Sequence, residues 1–86
     1  MKQLVYVIQD NVSQQSSPLF LAPNDDRAKL QFGTFLTQIP FDRSNYDLYA
    51  LGFYDSEPNP LLSMPQTVHV INGAALDENI KLDETN

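Results

Sequence analysis

The sequence predicts an α+β fold: a small antiparallel sheet with one amphipathic helix packed on one face, in the order β-β-α-β-β. Three observations lead there. Residues 45–55, NYDLYALGFYD, hold four aromatic side chains and place apolar residues on both alternating faces, the pattern of a central strand. Residues 24–39 carry a helix-start signal followed by an apolar stripe at helical spacing. Short runs rich in branched and aromatic residues lie at 2–10 and 67–71, on either side of these two elements.

Lys2 to Asp10, KQLVYVIQD, is the first strand, and the Asp10-Asn11 pair that follows favours a turn. Asn11 to Ser17 is rich in Ser and Gln without periodicity and is expected to be a mobile loop. Pro18 to Ala22 is long enough for a second strand antiparallel to the first, with Pro18 at the tolerated first position. Asn24 is a good helix N-cap, and Asp25 and Asp26 in the first turn complement the positive end of the helix dipole. Ala28, Phe32, Phe35, Leu36 and Ile39 then recur at one-face spacing, while Lys29, Gln31 and Gln38 fall outside the stripe. Pro40 ends the helix.

In the central strand, strict alternation assigns Tyr46, Leu48, Ala50, Gly52 and Tyr54 to one face and Asp47, Tyr49, Leu51, Phe53 and Asp55 to the other. Gly52 within it marks a bulge or a close approach of another backbone. Residues 55–60, DSEPNP, have turn composition, and the apolar Leu61, Leu62 and Met64 are cut off by Pro65. Thr67 to Ile71, TVHVI, is the last strand, with Val68 and Val70 on one face and His69 on the other, and Asn72-Gly73 is a turn signal. A single domain is therefore expected over 1–75, with 76–86 an acidic, flexible tail.

Eighty-six residues allow one domain, and a chain of this size buries only about 60–65% of the surface its unfolded form exposes. With no cysteine, neither disulfides nor thiolate metal sites supplement the core, so dimerisation is the expected route to stability, as a homodimer through the sheet face away from the helix. A formal net charge of -6 with only Lys2, Arg27, Lys29, Arg43 and Lys81 as cations argues against a duplex-DNA surface built on phosphate neutralisation. No signal-peptide pattern is present, and no apolar run approaches the ~20 residues of a membrane helix, so a soluble, intracellular protein is expected.

The residues offer no catalytic constellation. His69 is the single histidine and cannot complete the usual zinc ligand sets. The acidic pairs Asp25-Asp26, Asp77-Glu78 and Asp83-Glu84 sit in a helix cap and a tail rather than an enclosed site. Calcium loops, phosphate-binding Gly-rich loops and a Gly-x-Ser-x-Gly turn are missing. The expectation is a non-enzyme with no catalytic residue, cofactor or metal. What remains is a binding surface. Tyr6, Tyr49, Phe53 and Tyr54 could stack on unpaired bases while Arg27, Lys29, Arg43 and Lys2 meet phosphates, or an exposed sheet face or edge could take a protein partner. The net charge also suggests an acidic mimic of DNA, although the acids are scattered rather than arrayed.

The order of signals carries a family resemblance. Tyr6, Ile8 and Asp10, then Pro18 and Phe20, then Asn24, Ala28 and Phe32, lead into Tyr46, Leu48, Tyr49, Leu51, Gly52, Tyr54 and Asp55. This pattern resembles the small nonstructural protein of the gokushoviruses, single-stranded DNA phages of the microvirus family. Leu30 stands where members commonly carry a basic residue, and the likeness runs up to the turn after Asp55. The resemblance implies a non-capsid bacteriophage protein, made in the host bacterial cytoplasm and accessory to viral DNA replication at the switch to single-stranded genome synthesis. Within that role the expected activity is weak single-stranded DNA binding, by stacking on Tyr6, Tyr49 and Phe53 with Arg27, Lys29 and Arg43 at the backbone. The alternative is a homodimeric interaction module that acts on a phage replication initiator or host protein without contacting nucleic acid.

Overall fold

A computed structural model of the chain describes residues 2–57, 61–63 and 67–76. Along these the elements are β1 (Lys2–Asp10), β2 (Gln15–Ser16), β3 (Phe20–Ala22), α1 (Asp25–Leu36), β4 (Tyr46–Asp55), β5 (Leu61–Ser63) and β6 (Val68–Asn72). The class is α+β, with one helix against an antiparallel sheet. β1 and β4 form the centre and pair along their whole lengths, from Lys2 opposite Asp55 to Asp10 opposite Tyr46. The outer edge of β1 takes β2 and β3, and the outer edge of β4 takes β5 and β6, so each flanking lane is two short strands rather than one long one. The expected tail lies mostly outside the described residues, as does the Pro65 break.

Among the described residues the fold contains two strands beyond the four expected. β2 closes a hairpin on β1 where a mobile loop was anticipated, and its turn has an uncommon make-up. The left-handed position is filled by Gln14 (φ 60°) instead of Gly or Asn. Side chains compensate: the Asp10 carboxylate accepts from the backbone N–H groups of Val12 and Ser13, and Ser16 Oγ donates to Gln9 Oε1 at 2.7 Å. β5 pairs with residues 53–55 at the far end of β4, where a long central strand would otherwise leave its outer backbone groups unpaired.

Two bulges set which side chains share a face. Val5 pairs with Gly52 and Tyr6 with Ala50, which leaves Leu51 as an extra residue on β4. Beyond it the alternation inverts. Tyr46, Leu48 and Ala50 lie on the helix side as expected, but Phe53, opposite Leu4, joins them, whereas Gly52 and Tyr54 move to the other face with Tyr49. A second shift leaves Val70 extra on β6, so that His69 pairs with Tyr49 and Ile71 with Leu48. The glycine signal located the first bulge correctly, but the strict two-face assignment of the strand fails beyond it.

The core lies between α1 and the sheet. Ala28, Phe32 and Leu36 are buried against Tyr6, Ile8, Ala22, Tyr46 and Leu48, with Leu4, Phe20, Phe35, Ile39 and Ala50 packed around them. Asn24 caps the helix, its Oδ1 accepting from the Arg27 backbone N–H at 2.9 Å. The helix ends at Leu36, three residues earlier than the apolar stripe suggested, since Thr37 folds back on the last turn and Pro40 bars continuation. At this end the 3₁₀ turns 43–45 and 73–75 meet: Arg43 Nε donates to the Gly73 carbonyl at 3.2 Å and Nη2 to the Leu76 carbonyl at 3.0 Å. Gly73 is needed there, because a Cβ would stand 2.2 Å from the Arg43 carbonyl oxygen.

Candidate functional site: the sheet face opposite the helix

α1 packs on one face of the sheet only; on the face away from it Val5 and Val7 at the centre are themselves buried, and the exposure lies in the side chains around them. By register that face carries Gln3, Val5, Val7 and Gln9 of β1, Asp47, Tyr49, Leu51 and Tyr54 of β4, Leu21 of β3, Leu62 of β5 and His69 of β6. Leu19 joins them, since with Val7, Tyr49 and Leu51 it lines a groove across this face whose rim includes Gln9 and Thr67. Three large apolar side chains here are about half exposed: Leu19 at 52%, Leu21 at 41% and Leu62 at 53%. Single exposed leucines are ordinary, but several on one face beside half-buried aromatic rings form a patch of the kind that takes a partner.

A polar cluster sits at the β4–β6 end of the same face. The Asp47 side chain is nearly buried, and its Oδ1 accepts from His69 Nε2 at 2.8 Å and from Asn72 Nδ2 at 2.9 Å. Its Oδ2 accepts from Asn11 Nδ2 at 2.5 Å. Burial pushes the carboxyl up, yet the donated hydrogen bonds and the nearby imidazole outweigh it and hold Asp47 below the usual carboxylate range. The His69 ring, itself half exposed, rests edge-on against Tyr49 with centroids 5.4 Å apart. The cluster ties β6 and the β1–β2 turn to the central strand. Among the described residues no three His, Cys, Asp or Glu side chains are placed to hold a metal ion.

The residues expected to grip single-stranded DNA are not gathered into one surface. Tyr6 is a correction: it is fully buried, stacked on Phe20 with centroids 5.7 Å apart, and its hydroxyl donates to Asp25 Oδ1 at 2.6 Å. Its β1 position points into the core beneath the helix, so it offers no face to a base. Burial first, and then the Asp25 contact, raise its phenol far above the ordinary value. Phe53 is a second correction, for the bulge at Leu51 turns it to the helix side, where Lys2 Nζ lies 4.3 Å above its ring. Only Tyr49 of the three rings lies on the uncovered face. Arg27 and Lys29 belong to α1 on the opposite side, and Arg43 holds the two carbonyls at the 3₁₀ turns.

Comparison with known proteins adds no relative: no protein-family model matches the chain, and neither a curated protein nor a solved structure matches it. No helix among the described residues is long and apolar enough to cross a membrane.

The surface residues that sequence reasoning missed are Leu19, Leu21 and Leu62, together with Asp47 and His69 as a pair. The first two were within reach: once Phe20 and Ala22 face the core, Leu19 and Leu21 must alternate outward. Leu62 and the Asp47–His69 pair depend on strand partners and on the two bulges, which local pattern does not carry.

Proposed function

We propose that this chain is a small, non-enzymatic bacteriophage accessory protein of viral DNA replication that acts by protein contact through the uncovered sheet face. The phage and replication context comes from the gokushovirus-like residue pattern, above all Tyr46 to Asp55. The mode of action is carried by one observation: among the described residues this face joins Val, Leu and Tyr side chains with Gln3, Gln9, Asp47 and His69 and bears no Lys or Arg. Binding of single strands combines stacking rings with a cationic track for the phosphates. Here Tyr49 and Tyr54 lie on one side while Arg27 and Lys29 lie on the helix side, so those two rings and those two cations cannot serve one strand together. A protein partner that offers an apolar surface of its own fits the face better.

The test is genetic. In a phage that encodes this chain, Leu51→Asp should reduce single-stranded genome synthesis to the level of a deletion, while the double variant Arg27→Ala, Lys29→Ala should remain near wild type. The reverse pattern, loss with the cation variant and tolerance of Leu51→Asp, would overturn the proposal in favour of nucleic-acid contact.

A further inference from the structure

We infer that the occupant of the uncovered face is a second copy of this chain, packed sheet to sheet about a two-fold axis. This rests on the reading of that face as the working surface and names its first partner. Charge favours it. A chain with a formal net charge of -6 repels its own copies, and contact between them is least opposed where charge is lowest. Among the described residues the acids Asp10 and Asp55 fall on the helix side by register, Asp25 and Asp26 sit at the helix start, and Asp42 and Glu57 are in connections. The uncovered face keeps only Asp47, which is 9% exposed and already receives three hydrogen bonds.

Self-complementarity and area point the same way. A two-fold contact presents one patch to itself, so that patch must suit its own chemistry. Leucines and tyrosine rings rimmed by the neutral Gln3, Gln9 and Thr67 do so, whereas a charged patch would not. Four lanes at ~4.8 Å by nine residues at ~3.3 Å give a footprint roughly 19 by 30 Å. That is about 570 Å², close to the ~600 Å² per partner at the lower end of specific interfaces. Two such faces stacked about 10 Å apart would let Tyr49, Leu51 and Tyr54 interdigitate and give each copy a second core layer. The contact closes on itself and leaves the helix sides outward.

Sedimentation equilibrium of the purified full chain at micromolar concentrations tests this. The inference predicts a particle of twice the 9.7 kDa chain mass, with association undiminished at higher salt because the contact is uncharged. Leu51→Asp and, separately, Leu21→Glu should each raise the dissociation constant at least about tenfold with an unchanged far-ultraviolet circular dichroism spectrum. Leu21 is at an exposed strand position, so its variant decides the matter if Leu51→Asp misfolds. Arg27→Ala should leave association as it is. A wild-type chain that stays monomeric at all concentrations would overturn the inference, and so would a dimer indifferent to both face variants. Neither result touches the phage experiment above, in which Leu51→Asp reports on the face whatever its occupant.

Discussion

Asp47→Asn probes how the edge of the uncovered face is held. The carboxylate accepts three hydrogen bonds, from His69, Asn72 and Asn11, and each bond to a charged group contributes more than a neutral one. An asparagine in the same place keeps one acceptor oxygen. Set toward His69 and Asn72, it preserves two bonds without their charge and turns an NH₂ toward the Asn11 amide, which must rotate away. The expected loss is about 2 kcal/mol, in a domain whose total stability by length is on the order of 4–13 kcal/mol. That corresponds to a melting temperature lower by roughly 8–16 °C.

Urea unfolding followed by circular dichroism measures the loss, and pH supplies the sign. The folded-state carboxyl of Asp47 lies below its unfolded value, because the donated bonds outweigh burial. Its contribution is therefore complete above the ordinary carboxylate value of about 3.9 and disappears as pH falls through the folded value below it. The wild-type and Asp47→Asn urea midpoints should differ at pH 7 and converge in that acid window. Equal midpoints at neutral pH would refute the reasoning, as would a difference that persists unchanged in acid. A His69→Ala, Asp47→Ala double-mutant cycle should show a coupling of about 0.5–2 kcal/mol.

Gly73→Ala forces a Cβ against the backbone of Arg43, 2.2 Å from its carbonyl oxygen and 3.0 Å from its carbonyl carbon, and should lower stability by about 2–3 kcal/mol in the same urea assay. Tyr6→Phe removes the hydroxyl that donates to the exposed Asp25, which water can then reach, so the cost should be only about 1 kcal/mol. In a spectrophotometric titration of the folded protein, the Tyr6 step should lie far above the ordinary tyrosine value and should vanish in Tyr6→Phe. Asn24→Ala removes the acceptor for the Arg27 N–H and should cost about 1 kcal/mol, seen as a lower thermal midpoint.

The helix, its cap and the central strand were legible because each is written locally: Asn24 with two following aspartates, a stripe from Ala28 to Leu36, and ten residues of mixed aromatic and branched type. The pairing of Phe20–Ala22 with β1 followed from adjacency in the chain. The hairpin at Asp10 to Ser16 was hidden because Gln14 occupies the left-handed position and Asp10 supplies the turn's hydrogen bonds. β5 was hidden because three residues, LLS, become a strand only through the edge they pair with. The site depended most on what local pattern leaves out. Gly52 announced a bulge, but the extra residue is Leu51, and that single offset moves Phe53 to the helix side and Tyr54 to the uncovered face. Tyr6, one ring among several in the sequence, became the largest fully buried side chain because β1 presents it to the helix.

On the reading proposed above, the uncovered sheet face performs the work and a pairing of rings with cations does not. Fluorescence-anisotropy titration of a labelled single-stranded oligonucleotide with the full chain, at low and moderate salt and against duplex, tests it most directly. No saturable binding to the single strand is expected at either salt concentration. Saturable binding that weakens with salt and falls on Tyr49→Ala and on Arg27→Ala would contradict it, since one strand would then be engaging the ring and the cation from opposite sides of the molecule.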